Sequence, residues 1–144
     1  MYKLLHNKDY INLSKRHGVE LIEFLSTNVD SFDITVNLRG IDFTPTLPSP
    51  IYDTFTDFVL FTLTNYSLES LKINDDYITF EAGFGAENFG SICKVSTEAI
   101  FQISIDNSIL FINPNASIEQ EFFHEEFNQQ EQEVRSRKAF SFKK

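Results

Sequence analysis

The chain has 144 residues, with 12 Lys and Arg against 21 Asp and Glu for a net charge of −9, and it holds 16 Phe and no Trp. That balance opposes a phosphate backbone, where affinity comes from cations that displace counterions, and it opposes an anionic membrane surface for the same reason. No apolar run approaches the ~18–20 residues of a membrane span, and one cysteine, Cys93, excludes an internal disulfide and a cysteine-cluster zinc site.

Residues 1–13 carry charged and polar side chains throughout, unlike a secretory signal. A helix is predicted over 14–28. Ser14 can cap it, and Val19, Leu21, Ile22, Phe24 and Leu25 gather on one side at helical spacing, in a stripe wide enough to leave one edge for a partner. Residues 31–36 alternate apolar and polar, as a half-buried strand does. Arg39-Gly40 reads as a turn, after which 41–44 resumes the strand until Pro45, Pro48 and Pro50 break it.

The run FVLFTLT over 58–64 is a strong strand and LESLKI over 68–73 a weaker one, closed by a turn at Asn74-Asp75-Asp76. Residues 77–84 continue the meander. Gly83, Gly85 and Gly90 mark a tight or bulged connection to a strand over 91–95. Ser96-Thr97-Glu98 resembles a helix start, 99–103 reads as a short helix or a strand, and 109–112 is a final strand closed by Asn113-Pro114. One helix followed by about six antiparallel strands is an all-β to α+β pattern, a small barrel or sandwich with a flanking helix.

Composition changes after Pro114. Residues 115–133 contain no cation, and Ile118, Phe122, Phe123 and Phe127 suggest a short helix from about Ser117 before a solvated Gln/Glu linker. The last eleven residues, VRSRKAFSFKK, hold five basic side chains and two phenylalanines, while the preceding 133 hold seven Lys and Arg against 21 Asp and Glu, a balance of −14. Such asymmetry marks an interaction tail. The expected organisation is a body over 1–114, an acidic linker over 115–133 and a docking tail over 134–144. A flexible linker of about twenty residues has a root-mean-square span near 25 Å.

Motifs for chemistry are sparse. Gly83-Phe84-Gly85 lacks the spacing and helix of a dinucleotide site, and no serine stands in a nucleophile elbow. His124 lies among Glu121, Glu125 and Glu126, a solvated acidic face rather than a closed metal site. Cys93 falls in a strand, where a buried inert thiol is expected. The sequence therefore predicts a binding protein without cofactor, metal or catalytic residues, in a reducing, cytoplasmic setting.

Several local stretches resemble SspB, the stringent starvation protein B family of ClpXP protease adaptors. FVLFTL over 58–63 is similar to that family's IVLNI-type strand, and LKINDDYITF over 71–80 to its LELANDEVRF hairpin. FEAGFGA over 80–86 resembles its F-x-A-x-F-G-G turn, and FINP over 111–114 its closing F-E-P. Upstream, FDITV over 32–36 and GIDFTP over 40–45 resemble V-D-V-T followed by G-V-x-V-P, so that about 80 residues are covered.

The resemblance implies an Sm-like barrel behind an N-terminal helix and a homodimer formed through Val19, Leu21, Ile22 and Leu25. It also implies a groove for ssrA-like tags, bound as extended peptides at Ser67, Phe80, Ala82, Gly83 and Phe84. Docking on a ClpX-type AAA+ ATPase would fall to Arg137, Lys138, Phe140, Phe142, Lys143 and Lys144. Four features depart from the family: Gly83 stands where many members carry Arg, the loop over 85–95 is longer, Ser96-Thr97 replaces a proline, and the terminus is aromatic rather than aliphatic. An acidic secretion-type chaperone for extended clients is the alternative, and the charge argues against an Sm-like RNA binder.

Overall fold

The computed structural model describes residues 2–118 and 120–123. A single helical turn, α1 (Tyr2–Leu5), precedes the long helix α2 (Lys8–Asn28). Helix α2 starts ahead of the predicted Ser14 because Asn7 caps it: the Asn7 side chain accepts the Tyr10 N–H at 3.0 Å, and Asp9 sits in the first turn, where the helix dipole favours an anion. Gly18, Val19, Ile22 and Leu25 recur at helical spacing and form its buried stripe. Gly18 permits a close approach, since a Cβ there would stand 3.2 Å from the Phe111 ring.

Two four-stranded antiparallel sheets follow. One orders its strands β3-β1-β7-β8, from β1 (Ser31–Asn37), β3 (Phe58–Thr64), β7 (Ile100–Ile105) and β8 (Ser108–Ile112). The other runs β2-β6-β5-β4, from β2 (Ile41–Thr44), β4 (Lys72–Ile73), β5 (Tyr77–Phe84) and β6 (Phe89–Ser96). Short helices α3 (Ser49–Tyr52) and α4 (Asn65–Glu69) lie in the connections. The molecule is thus mixed α+β and mostly sheet. No ladder among the described residues joins the two sheets into a closed barrel.

Strand alternation builds the core. Phe32, Ile34 and Val36 of β1 and Val59, Phe61 and Leu63 of β3 point inward from one sheet, and Ile78, Phe80, Cys93 and Val95 point inward from the other. The rings of Phe61 and Phe80 meet edge-on across the interior with centroids 5.1 Å apart. Two of the four crossings between sheets are tight 3-10 turns, Leu38–Gly40 and Thr97–Ala99, which pack against each other. Gly40 is required there, because a Cβ would come within 2.1 Å of the Ala99 methyl.

Several expectations change. Residues 41–44 do form a strand, but in the opposite sheet from β1, because the turn at Leu38–Gly40 intervenes. The predicted strand over 68–73 begins inside helix α4, and only Lys72–Ile73 pairs. Its capping box explains this: Ser67 Oγ accepts the Thr64 N–H at 2.9 Å while Thr64 caps the Ser67 amide. The meander has eight strands rather than about six. The region 99–103 resolves as a 3-10 turn followed by β7. Asp106 and Asn107, both at positive φ, make the two-residue turn that pairs β7 with β8.

The segment after β8 is tied to the body. It forms a 3-10 turn at Pro114–Ser117 rather than a helix from Ser117, and 120–123 is not helical. Asn37 Nδ2 donates to the Ala116 carbonyl at 3.1 Å, and Ser96 Oγ donates to the Phe122 carbonyl at 3.0 Å. The Phe122 side chain enters the core and is 3% exposed. No helix among the described residues is long and apolar enough to cross a membrane.

Candidate functional site

Strands β5 and β6 pair along their whole length, from Tyr77 opposite Ser96 to Phe84 opposite Phe89. Their outer neighbours are shorter. Strand β4 covers only Ile78 and Thr79 of β5, and β2 covers only Val95 to Ile92 of β6. Toward the hairpin end, residues 80–84 and 89–91 therefore have a strand on one side only. Sheet edges of this kind present backbone donors and acceptors for an added strand.

A groove of about 790 Å³ opens at this end. Thr64 to Ser67, at the junction of β3 and α4, form one wall; Thr44 and Pro45, beyond β2, contribute another part of the lining. Between them lie Glu81, Ala82 and Gly83 of β5 with Asn88, Gly90, Ser91 and Ile92 at and along β6. Small residues dominate the β5–β6 part. Gly83 and Gly90 are cross-strand partners, and a Cβ at Gly90 would meet nothing within 4 Å. A Cβ at Gly83 would collide with the Asn88 amide, so the Asn88 side chain fills the space that a longer residue at 83 would claim.

Hydrogen bonds hold the wall to the sheet. Ser70 Oγ accepts the Glu81 N–H at 2.9 Å and donates to the Ser67 carbonyl at 3.0 Å. The Tyr66 hydroxyl donates to Glu81 Oε1 at 3.0 Å. That bond, reinforced by the carboxylate's negative charge, holds the Tyr66 phenol above its ordinary value. Ser91 Oγ donates to the Pro45 carbonyl at 3.0 Å, fixing the other side.

Of the residues expected in a peptide groove, Ser67, Ala82 and Gly83 line this one. Phe80 does not: it is 1% exposed and packs on Phe61 in the core. Phe84 turns to an aromatic cluster with Phe43, Phe55 and Phe61. Period-two alternation accounts for both, because 78, 80, 82 and 84 share the inward face while Glu81 and Gly83 face out. Sequence reasoning missed Tyr66, Glu81, Asn88 and Gly90 as groove residues. Gly90 carried a signal as one of three clustered glycines, whereas Tyr66 and Glu81 meet only through the tertiary fold.

The four residues expected at a dimer face lie mostly within the fold. Val19, Ile22 and Leu25 are buried within their own chain and Leu21 is half-buried. The accessible apolar side chains of α2 are Leu13, at 54% exposed, and Phe24, at 60%. The tail residues Arg137, Lys138, Phe140, Phe142, Lys143 and Lys144 lie outside the described residues, as do His124, Glu125 and Glu126. Cys93 is buried, and desolvation pushes its thiol up to about 12, so it is not poised as a nucleophile near neutral pH. Among the described residues no three His, Cys, Asp or Glu side chains converge as a metal site.

Comparison of the chain with protein-family models, with curated proteins and with solved structures finds no match in any of the three.

Proposed function

We propose that this chain is a cytoplasmic, non-enzymatic adaptor that holds an extended segment of a client in the groove at the β5–β6 hairpin end. In this reading it delivers ssrA-like tagged clients to a ClpXP-type protease, gripping the ATPase through its basic, aromatic terminus. The observation that carries the reading is the groove itself: a hairpin end with a strand on one side only, small residues along β5 and β6, and Ser67, Ala82 and Gly83 lining one space. Main-chain pairing along such an edge supplies affinity for an extended peptide, and neighbouring side-chain pockets supply selectivity.

The two sheets then correspond to an opened Sm-like barrel, with the chain crossing between them at Leu38–Gly40 and Thr97–Ala99. Pairing of two copies runs through α2, whose Leu13 and Phe24 provide the accessible apolar surface. Division of labour between groove and terminus makes a direct prediction. A chain ending at Glu133 should lose capture of a ClpX-type ATPase in a pull-down while binding an extended peptide with unchanged affinity. Retained capture by the shortened chain would remove the terminus from the mechanism, and an acidic secretion-type chaperone would be indifferent to the cut.

A further inference from the structure

We propose that the groove selects a basic extended segment, one carrying lysine or arginine among small and apolar residues, over an acidic one. The proposal rests on the reading of the groove as a peptide site and names the ligand chemistry it takes. Among the side chains that line the groove, Glu81 alone is charged at neutral pH, and none is Lys, Arg or His. Its carboxylate is placed rather than loose: Tyr66 OH holds Oε1 at 3.0 Å, and the Glu81 N–H is anchored on Ser70.

Neighbouring charge has the same sign. Glu69 of α4 acts on the Tyr66 phenol, and Glu87 stands in the β5–β6 turn beside the groove residue Asn88. The nearest cations in the strand register, Lys72 and Lys94, both flank Thr79, one row farther from the hairpin end, and Lys94 sits over the Tyr77 ring at 4.4 Å. Open space over Gly90 lets a peptide backbone come close, so a long cationic side chain can reach Glu81 over the sheet face. An acidic side chain, or a free terminal carboxylate, finds no cation among the lining residues and meets the field of a body that is negative overall.

Three amidated fluorescent peptides, identical except for Lys, Gln or Glu at one central position, test this on the full chain by anisotropy. The expected order of affinity is Lys, then Gln, then Glu, with about tenfold between the extremes at low salt and less at high salt. Glu81→Gln should compress that range to about twofold. Glu20→Gln on the exposed side of α2 makes the same change in net charge and should leave the range intact. Equal or tighter binding of the Glu peptide overturns the proposal, as does an equal effect of Glu20→Gln, which would assign the preference to the overall field. If all three peptides bind alike and are all blocked by filling the groove with Gly90→Leu, the charge preference falls and the peptide site stands. If none of them binds, both fall.

Discussion

Replacing Gly90 with leucine should abolish binding of an extended peptide, by at least about thirtyfold, while leaving the fold intact. The separation of these two effects follows from the position. Gly90 lies in β6 opposite Gly83, its backbone is not in the left-handed region, and an added Cβ meets open space. A leucine there is compatible with the strand, where a side chain is preferred to glycine, so stability should change by less than about 1 kcal/mol. The same side chain occupies the groove next to the bare edges of β5 and β6, where an incoming backbone must run. Anisotropy with a fluorescent peptide gives the affinity, and thermal unfolding gives the fold. Unchanged affinity in a folded variant would place peptide binding elsewhere on the molecule.

Phe122→Ala should destabilise the body by about 3–5 kcal/mol, the usual range for truncating a buried phenylalanine. That is a large share of the 5–15 kcal/mol typical of a domain. The Phe122 ring abuts the sheet-changing corner, where its Cβ stands 3.4 Å from the position a Cβ would take at Gly40, and its carbonyl accepts the Ser96 hydroxyl. Phe123→Ala, at the half-buried neighbour, should cost less than about 1 kcal/mol. Urea unfolding of the two variants separates these cases. A loss below 1 kcal/mol for Phe122→Ala would mean that Phe122 does not belong to the cooperative core. This matters for the proposed function, because it sets where the body ends. The core extends to Phe122, beyond the boundary at Pro114 that composition suggested.

Much of the strand content was legible because two-residue alternation is a strong local signal. Residues 31–36, 58–64 and 77–84 all read correctly from their apolar spacing and match β1, β3 and β5 closely. Local chemistry also explains the failures. The helix over 65–69 was hidden by the apolar spacing of 68–73, and only the reciprocal bonds of Thr64 and Ser67 reveal it. Asn7 outcompeted Ser14 as a cap because an apolar stripe does not mark where a polar first turn begins.

The glycines show the limit for the site. Gly83, Gly85 and Gly90 together signal a tight or bulged connection, yet only Gly85 has a positive φ, at 75°. Gly83 and Gly90 lie within the ladder, where their use is to leave space, and a sequence does not distinguish a glycine that bends from one that clears. Phe80 and Phe84 were assigned to the groove along with Ala82 through the resemblance, although strand parity turns all three inward and only Ala82 lines the groove. Glu81 and Tyr66 are 15 residues apart and meet because α4 folds back over β5, which no local pattern encodes.

The central claim is that an extended peptide adds to the exposed edge of the β5–β6 hairpin. Amide hydrogen exchange of the full chain, with and without saturating peptide, tests it residue by residue. The account predicts new protection confined to 80–84, 89–91 and the α4 wall at 65–67. Protection instead along β8, whose Ile109, Leu110 and Ile112 form another exposed apolar edge, would contradict it.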